Sequence, residues 1–444
     1  MARNRIIHNI QEVLVGSPSG ESNLTVTSVD NYEILKRLEQ VQSFSYDIGL
    51  EQSKSNVLGR SASIDNKIIE PPGVSLNLEY YLNGVVNEKR VGLNVANEES
   101  SVSDNEKNAA HYIVMESGRL NDKRNVYLIT NSDARDIGDN LSSDYPSQLE
   151  KRYHTNMTKS MVAEEKATGY GVVIFQNCYL TSYSMSASVG SLATVSLGYE
   201  ADGVIMESSA DDKDIPKLNT KTATVEYSDK KFIVPKRFSK DSLLPKEGLK
   251  TAQSNRMDVT VQRRGDDGKG LKLHDNNIQK CDVSFDIDRK KISYFGHKLY
   301  VDHYPQLPVI GKMTVDYINY KDREAGNIFD NANSNHIYDA VLNFKDVNGN
   351  VCSSFTVSGA RLTSYNEESS INGNKTSNIS LSCEMSFEDN SRGVFISGVA
   401  GSALHHQLGT AYSTYFDPVK GLVPEELTDD DGNVLTASLA YPVF

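Results

Sequence analysis

Tryptophan is missing from this 444-residue chain, proline is sparse at 12 residues, and cysteine occurs four times. No C-x-x-C pair is present, so neither a redox motif nor a zinc ribbon is written. Cys178, Cys281, Cys352 and Cys383 stand far apart and read as buried free thiols of a protein made in a reducing cytoplasm. No apolar run approaches the ~18 residues of a membrane span. The N-terminal MARNRIIHNIQEVLVG lacks the apolar core and small-residue cleavage site of a secretory signal. Basic charge is also short, with 46 Lys and Arg against 59 Asp and Glu, a net charge of −13. Gripping nucleic acid takes Lys and Arg that displace counterions, so specific nucleic-acid binding is not expected.

Catalytic and metal motifs are missing as well. There is no G-x-S-x-G elbow and no H-E-x-x-H. The glycines Gly265, Gly268 and Gly270 have no apolar strand before them and no apolar helix after, so they read as a charged turn. Asp429, Asp430 and Asp431 lack the closing Glu of an EF-hand. His405 and His406 are sequence neighbours and point apart on a strand. His297 and His303 have Arg60 and Asn66 at the matching places of an internal repeat, an exchange a catalytic base does not tolerate. Neither an enzyme activity nor a cofactor nor a metal is expected.

The 23 Tyr and 13 Phe suit pleated, half-buried surfaces. Alternation of apolar and polar residues marks strands with one buried face, and two blocks of such strands occur twice. In the first block, SFSYDI at 43–48 is matched with DVSFDI at 282–287, Leu58-Gly59 with Phe295-Gly296, and Ile64-Asp65 with Val301-Asp302. Pro71 is matched with Pro308, and LNLEYY at 76–81 with MTVDYI at 313–318. Phe44, Tyr46, Leu76, Leu78, Tyr80, Val283, Phe285, Met313, Val315 and Tyr317 are expected to face the core. In the second block, Leu180-Thr181-Ser182-Tyr183 recurs as Leu362-Thr363-Ser364-Tyr365, and VSLGYE at 195–200 as ISLSCE at 379–384. Each second block reads as a long hairpin, turning at Gly190-Ser191 and at Asn372-Gly373.

The expected fold is therefore mainly β, with two tandem β-rich domains, each carrying a long hairpin. The first domain spans 1–202, a connecting segment 203–254, the second domain 255–392, and a C-terminal extension 393–444 that matches neither copy. The first copy holds about 55 extra residues between its blocks, a polar stretch at about 96–169. A short helix is expected there near 105–115 and a strand at 126–130, and the stretch reads as an outward excursion or contact arm. A strand at 222–227 is expected in the connecting segment.

The long hairpins carry Ser and Thr on their polar face and unpaired backbone at their edges, which a neighbouring subunit can complete. The residues expected to form this intersubunit wall are Tyr179, Thr181, Tyr183, Ser184, Ser186, Val195 and Leu197. In the second copy they are Leu362, Ser364, Tyr365, Ile379 and Leu381.

SFSYDI, LGRSASID, PPGVSLNLEYYLNG and above all YLTSYSMSASVGSLATVSLGYEADG resemble the tail-tube proteins of tailed bacteriophages. The resemblance implies two tandem tube-like β-sandwich domains, each with a long hairpin and a short flanking helix, whose hairpins close a continuous barrel around a lumen, in rings that stack into a conduit for DNA. Duplicated relatives form trimeric rings with pseudo-sixfold symmetry. It further implies self-association, contacts with sheath, baseplate or tail-terminator proteins, DNA passing an acidic lumen without specific binding, no membrane partner, and residence in a virion tail assembled in the host cytoplasm. A ring of the same fold at a tail tip or baseplate hub is a second reading. A tandem sandwich recognising a glycan or receptor is a third, disfavoured by loops without Trp.

Overall fold

The computed structural model describes residues 11–16, 32–50, 52–55, 65–68, 73–82, 84–97, 107–115, 123–131, 170–207, 214–219, 221–233, 257–264, 278–318, 336–345, 351–368, 376–388 and 391–398. In chain order its strands begin β1 (Gln11–Gly16), β2 (Tyr32–Ile34), β3 (Lys36–Arg37), β4 (Val41–Gly49), β5 (Gln52–Ser55), β6 (Asp65–Ile68), β7 (Gly73–Tyr81), β8 (Val95–Asn97), β9 (Lys123–Asn131), β10 (Tyr170–Ser188), β11 (Thr194–Ala201) and β12 (Gly203–Glu207). Two short helices, α1 (Val86–Arg90) and α2 (His111–Met115), lie between β7 and β9. The strands continue as β13 (Asp214–Asn219), β14 (Thr224–Ile233), β15 (Met257–Arg263), β16 (Ile278–Asp286), β17 (Arg289–Ile292), β18 (Asp302–Pro305), β19 (Ile310–Ile318), β20 (Tyr338–Lys345), β21 (Val351–Glu368), β22 (Thr376–Glu384) and β23 (Gly393–Gly398). The fold is mainly β.

One pairing order occurs twice. The first half runs β1-β9-β10-β11-β7-β4 and the second β15-β20-β21-β22-β19-β16, all antiparallel. The strand bounds of β4 to β7 recur 237 positions later as β16 to β19. Irregularities recur too. A register shift between Val41 and Ser43 has its counterpart between Ile278 and Lys280. Another between Leu180 and Ser182 is matched between Leu362 and Ser364. Thr181 and Thr363 are thus the extra residues of equivalent bulges, which gives the repeated Leu-Thr-Ser-Tyr a physical role: a bulge re-aims the strand and pins its register. Beside the first bulge, a Cβ on Gly198 would crowd Ser182 Oγ, which would have to turn aside.

The ladder corrects the sequence matching at two places. Phe44 lies opposite Leu78, and Cys281 opposite the equivalent Val315, so Phe44 is matched by Cys281 rather than Val283. Leu197 lies opposite Leu78 and Ile379 opposite Val315, so Leu197 is matched by Ile379 rather than Leu381. Both slips are two residues. A two-residue shift keeps every side chain on its own face, so alternation alone cannot detect it.

The halves join strand to strand. β10 and β16 pair antiparallel from Ser182↔Asp286 to Ser188↔Lys280, and the order β21-β22-β19-β16-β10-β11-β7-β4 forms one continuous sheet. Its apolar face carries rows such as Phe44–Leu78–Leu197–Tyr183–Phe285–Gly311–Cys383. Its polar face carries Ser43–Glu79–Ser196–Ser184–Ser284–Lys312–Ser382–Arg361. One contiguous buried cluster underlies the apolar rows in both halves. Leu76, Leu78, Tyr80, Val283, Phe285, Met313, Val315 and Tyr317 are buried, whereas Phe44 is half-buried and Tyr46 is exposed. The reason for Tyr46 is position: among the described residues β4 ends the sheet, with β7 on one side and no strand on the other.

The extra residues of the first copy are not one excursion. β9, in their midst, is a full member of the sheet between β1 and β10. The part before it crosses to the other half: β8 pairs parallel with β23, Ala109 donates to Val394 O at 2.7 Å, and Asn108 Nδ2 donates to Ser386 O at 2.7 Å. The part at 132–169 lies outside the described residues. β23 itself pairs with β21 as β12 pairs with β10, so residues 393–398 do have a counterpart in the first copy. α2 and β14 fall where a helix and a strand were expected. The turn at Asn372-Gly373, the glycines at 265–270, the Asp429–Asp431 run and His405-His406 lie outside the described residues, and no helix is found in the second half among the described residues.

Truncating Phe285, fully buried and stacked on Tyr183 with centroids 5.2 Å apart, is expected to cost about 3–5 kcal/mol in denaturant unfolding. Tyr46→Ala at the open edge should cost under about 1 kcal/mol in the isolated chain. Equal losses at the two positions would contradict the edge assignment.

Candidate assembly surface

The first-copy hairpin residues lie at the centre of the sheet. Tyr183, Val195 and Leu197 are fully buried on the apolar face, and Ser184 and Ser186 lie on the polar face opposite Ser284 and Asp282. Thr181 O accepts a 2.7 Å hydrogen bond from Ile287 N. Tyr179 is fully buried under the β17–β18 hairpin. β10 therefore already has partners on both sides within one chain. The second-copy residues are placed differently. Ile379 and Leu381 are fully buried, but Leu362, Ser364 and Tyr365 are only half-buried. From Arg361 to Glu368, β21 has β22 on one side and no strand on the other among the described residues.

The internal seam is held by a charged cluster that joins the halves. His303, on β18, sits 2% exposed between two first-half carboxylates. Its Nε2 lies 3.0 Å from Asp202 Oδ1 and its Nδ1 lies 3.4 Å from Glu200 Oε2. Its ring stacks on Tyr179 at 4.4 Å, with Tyr300 edge-on at 5.8 Å. Arg289 lies over the Tyr179 ring, donating to Leu180 O at 3.0 Å and to His303 O at 2.9 Å. Lys291 adds a 3.4 Å contact to Glu200. Burial opposes charge on His303, but the Asp202 and Glu200 carboxylates outweigh it and hold its pKa above the ordinary histidine value. The adjacent His303, with Lys291 beside it, holds Glu200 below its ordinary value.

A second buried polar cluster fastens α1 to the sheet. Tyr80 Oη donates to Glu88 Oε1 at 2.8 Å, and Tyr183 Oη to the same oxygen at 3.4 Å. Asn87 bridges the preceding strand connection, accepting from Glu39 N and donating to Glu39 O, both at 2.9 Å. Burial pushes the Glu88 carboxyl up to about 7, with the tyrosine hydrogen bonds opposing. Sequence reading missed both clusters. Glu88 sits in a short polar stretch, and its partners Tyr80 and Tyr183 lie on two strands. For His303 a signal did exist, since its replacement by Asn66 in the first copy marks a place where the halves differ.

The three described cysteines, Cys178, Cys281 and Cys383, are buried free thiols, and burial raises each above the ordinary thiol value. The Cys352 side chain lies outside the described residues. No helix among the described residues is long and apolar enough to cross a membrane.

Between pH 4.5 and 7 an unfolded Glu88 loses its proton while the folded one keeps it. Stability contributed by the protonated carboxyl is thus complete below 4.5 and lost as pH rises through about 7, a total of about 3 kcal/mol. Glu88→Gln is expected to remove that slope in urea unfolding followed from pH 4 to 8. An unchanged difference between variant and wild type across that range would contradict a buried carboxyl here.

No family model matches the chain, and no curated protein matches it. Among solved structures, a chain of the six-fold-symmetrised anti-feeding prophage baseplate is 12% identical over 32% of this chain and 93% of its own, with a TM-score of 0.24. A chain of the sheath–tube complex of an extracellular contractile injection system is 16% identical over 36% of this chain and 95% of its own, with a TM-score of 0.23. Hcp1 from Flavobacterium johnsoniae is 12% identical over 28% of this chain and 89% of its own, with a TM-score of 0.18. With TM-scores this low, function is argued from the sheet itself.

Proposed function

We propose that this chain is a non-enzymatic structural subunit whose copies close into a ring of the tail-tube type. Two tandem versions of one β-sandwich lie in each chain, and three chains supply six equivalent wall segments. One observation carries the reading. Among the described residues the eight-strand run from β21 to β4 ends in two open edges, β4 and the outer part of β21, which are the topological counterparts of the two strands already joined in its middle, β16 and β10. A heterologous contact that repeats the internal one generates a closed ring if the rotation closes.

The polar face agrees with a lumen. It carries Asp47, Glu79, Asp282, Asp286, Asp316 and Glu368 against Lys280, Lys312 and Arg361, and the rest of its rows are mainly Ser, Thr and Asn. Lys280 is tied to Asp282 at 2.5 Å, which lowers the free positive charge further. Such a face repels phosphate and leaves DNA unbound as it passes. Stacked rings of this kind form a conduit in a virion tail or a related particle, with sheath, baseplate or terminator proteins as further partners.

Native mass spectrometry of the full chain at micromolar concentration tests the reading. A dominant species at three times the 49.1 kDa chain mass, or stacks in multiples of it, is expected. A protein that stays monomeric at all concentrations would contradict it.

A further inference from the structure

We propose that the two open edges pair with each other between copies in the register of the internal seam, and that Glu367 makes this outer seam the weaker of the two. The proposal rests on the ring reading and adds its register and its chemistry.

The exposure pattern points to the missing partner. Tyr46 and Ile48 on β4 are each 39% exposed and Leu50 is 54% exposed, whereas their counterparts Val283, Phe285 and Ile287 are 0%, 0% and 1% exposed. The β16 residues owe that burial to a strand that β4 lacks. Carrying the internal register across the repeat sets the outer one. Tyr183↔Phe285 becomes Tyr365 opposite Ile48, and Ser184↔Ser284 becomes Asn366 opposite Asp47. Met185↔Val283 becomes Glu367 opposite Tyr46, and Ser186↔Asp282 becomes Glu368 opposite Ser45. The bond from Ile287 N to Thr181 O becomes one from Leu50 N to Thr363 O.

The two seams share geometry but not chemistry. Met185 is fully buried on the apolar face. Its counterpart Glu367 is exposed in the single chain and accepts a hydrogen bond from Tyr365 Oη. Pairing with β4 covers that position with Tyr46 and strips water from the carboxylate, which costs free energy. A charge facing inward on an edge strand is a device that restrains edge-to-edge association. The outer seam also has Asn66 at the sequence position of His303, so the carboxylate-bound histidine that clamps the inner seam is missing from it.

Disulfide trapping in the full chain tests the register. Internal pairs such as Thr181 and Ile287 exchange a backbone hydrogen bond, so the alternate pair Ser184↔Ser284 is a close, non-hydrogen-bonded one. Its outer equivalent suits a disulfide. The double variant Asp47→Cys/Asn366→Cys should form reducible dimers and trimers on mild oxidation, and Ser45→Cys/Asn366→Cys should not. Trapping by the second pair, or by neither while the protein still forms rings, would overturn the register and leave the ring reading standing. In sedimentation equilibrium, Glu367→Met should tighten association at least about tenfold, with Glu367→Gln shifting it less in the same direction. Unchanged or weaker association in both would overturn the role of Glu367. Monomers throughout, with no trapping in either pair, would sink the ring reading itself.

Discussion

The antiparallel ladder between β10 and β16 is the constraint on which the rest depends. Seven directly opposed pairs fuse two half-sheets into one wall. Because β10 is thereby a central strand, its side chains from Ser182 to Ser188, past the bulge at Thr181, alternate between a dry face and a polar face. Among the described residues the wall from β21 to β4 is open at its two ends, and those ends are versions of the strands that meet in its middle. Sheet edges with unpaired N–H and C=O groups must be covered, blocked or paired. Here pairing is already practised once inside the chain.

Two polar clusters keep that wall in place from opposite faces. On the apolar side Glu88 receives the hydroxyls of Tyr80 and Tyr183, so one buried carboxyl ties a short helix to β7 and β10 at once. On the polar side His303 sits between Asp202 and Glu200 and ties the β17–β18 hairpin to the end of β11. Both clusters favour the protonated form of their central group, so α1 is fastened more firmly as pH falls through the Glu88 titration, and the seam as it falls through that of His303. A third tie runs through α2 and β8, which reach from the first half to β23 of the second. The halves are therefore bound by backbone ladder, buried charge and an added parallel strand.

Much of this was legible in the residues. Alternation in LNLEYY and MTVDYI marked strands with the correct buried face, because period two follows from the pleat. The repeated Leu-Thr-Ser-Tyr marked the hairpins, and the bulge at Thr181 and Thr363 gives the reason it stands out. Pairing offsets were legible only to within two residues, because alternation is blind to an even shift. The exposure of Tyr46 was illegible, since its pattern matches that of buried Val283 and only strand order separates them. Glu88 and His303 were illegible as ties because their partners come from distant strands. The crossing of β8 to β23 left no periodic signal in three residues.

The most direct test of the central claim is a cryo-EM reconstruction of the assembled full chain at side-chain resolution. The account predicts three copies in a closed wall, β4 of each chain hydrogen-bonded to β21 of the next, and the Ser184–Ser284 row facing the hole. Copies that meet through other surfaces, with β4 left open or the polar face turned outward, would contradict it.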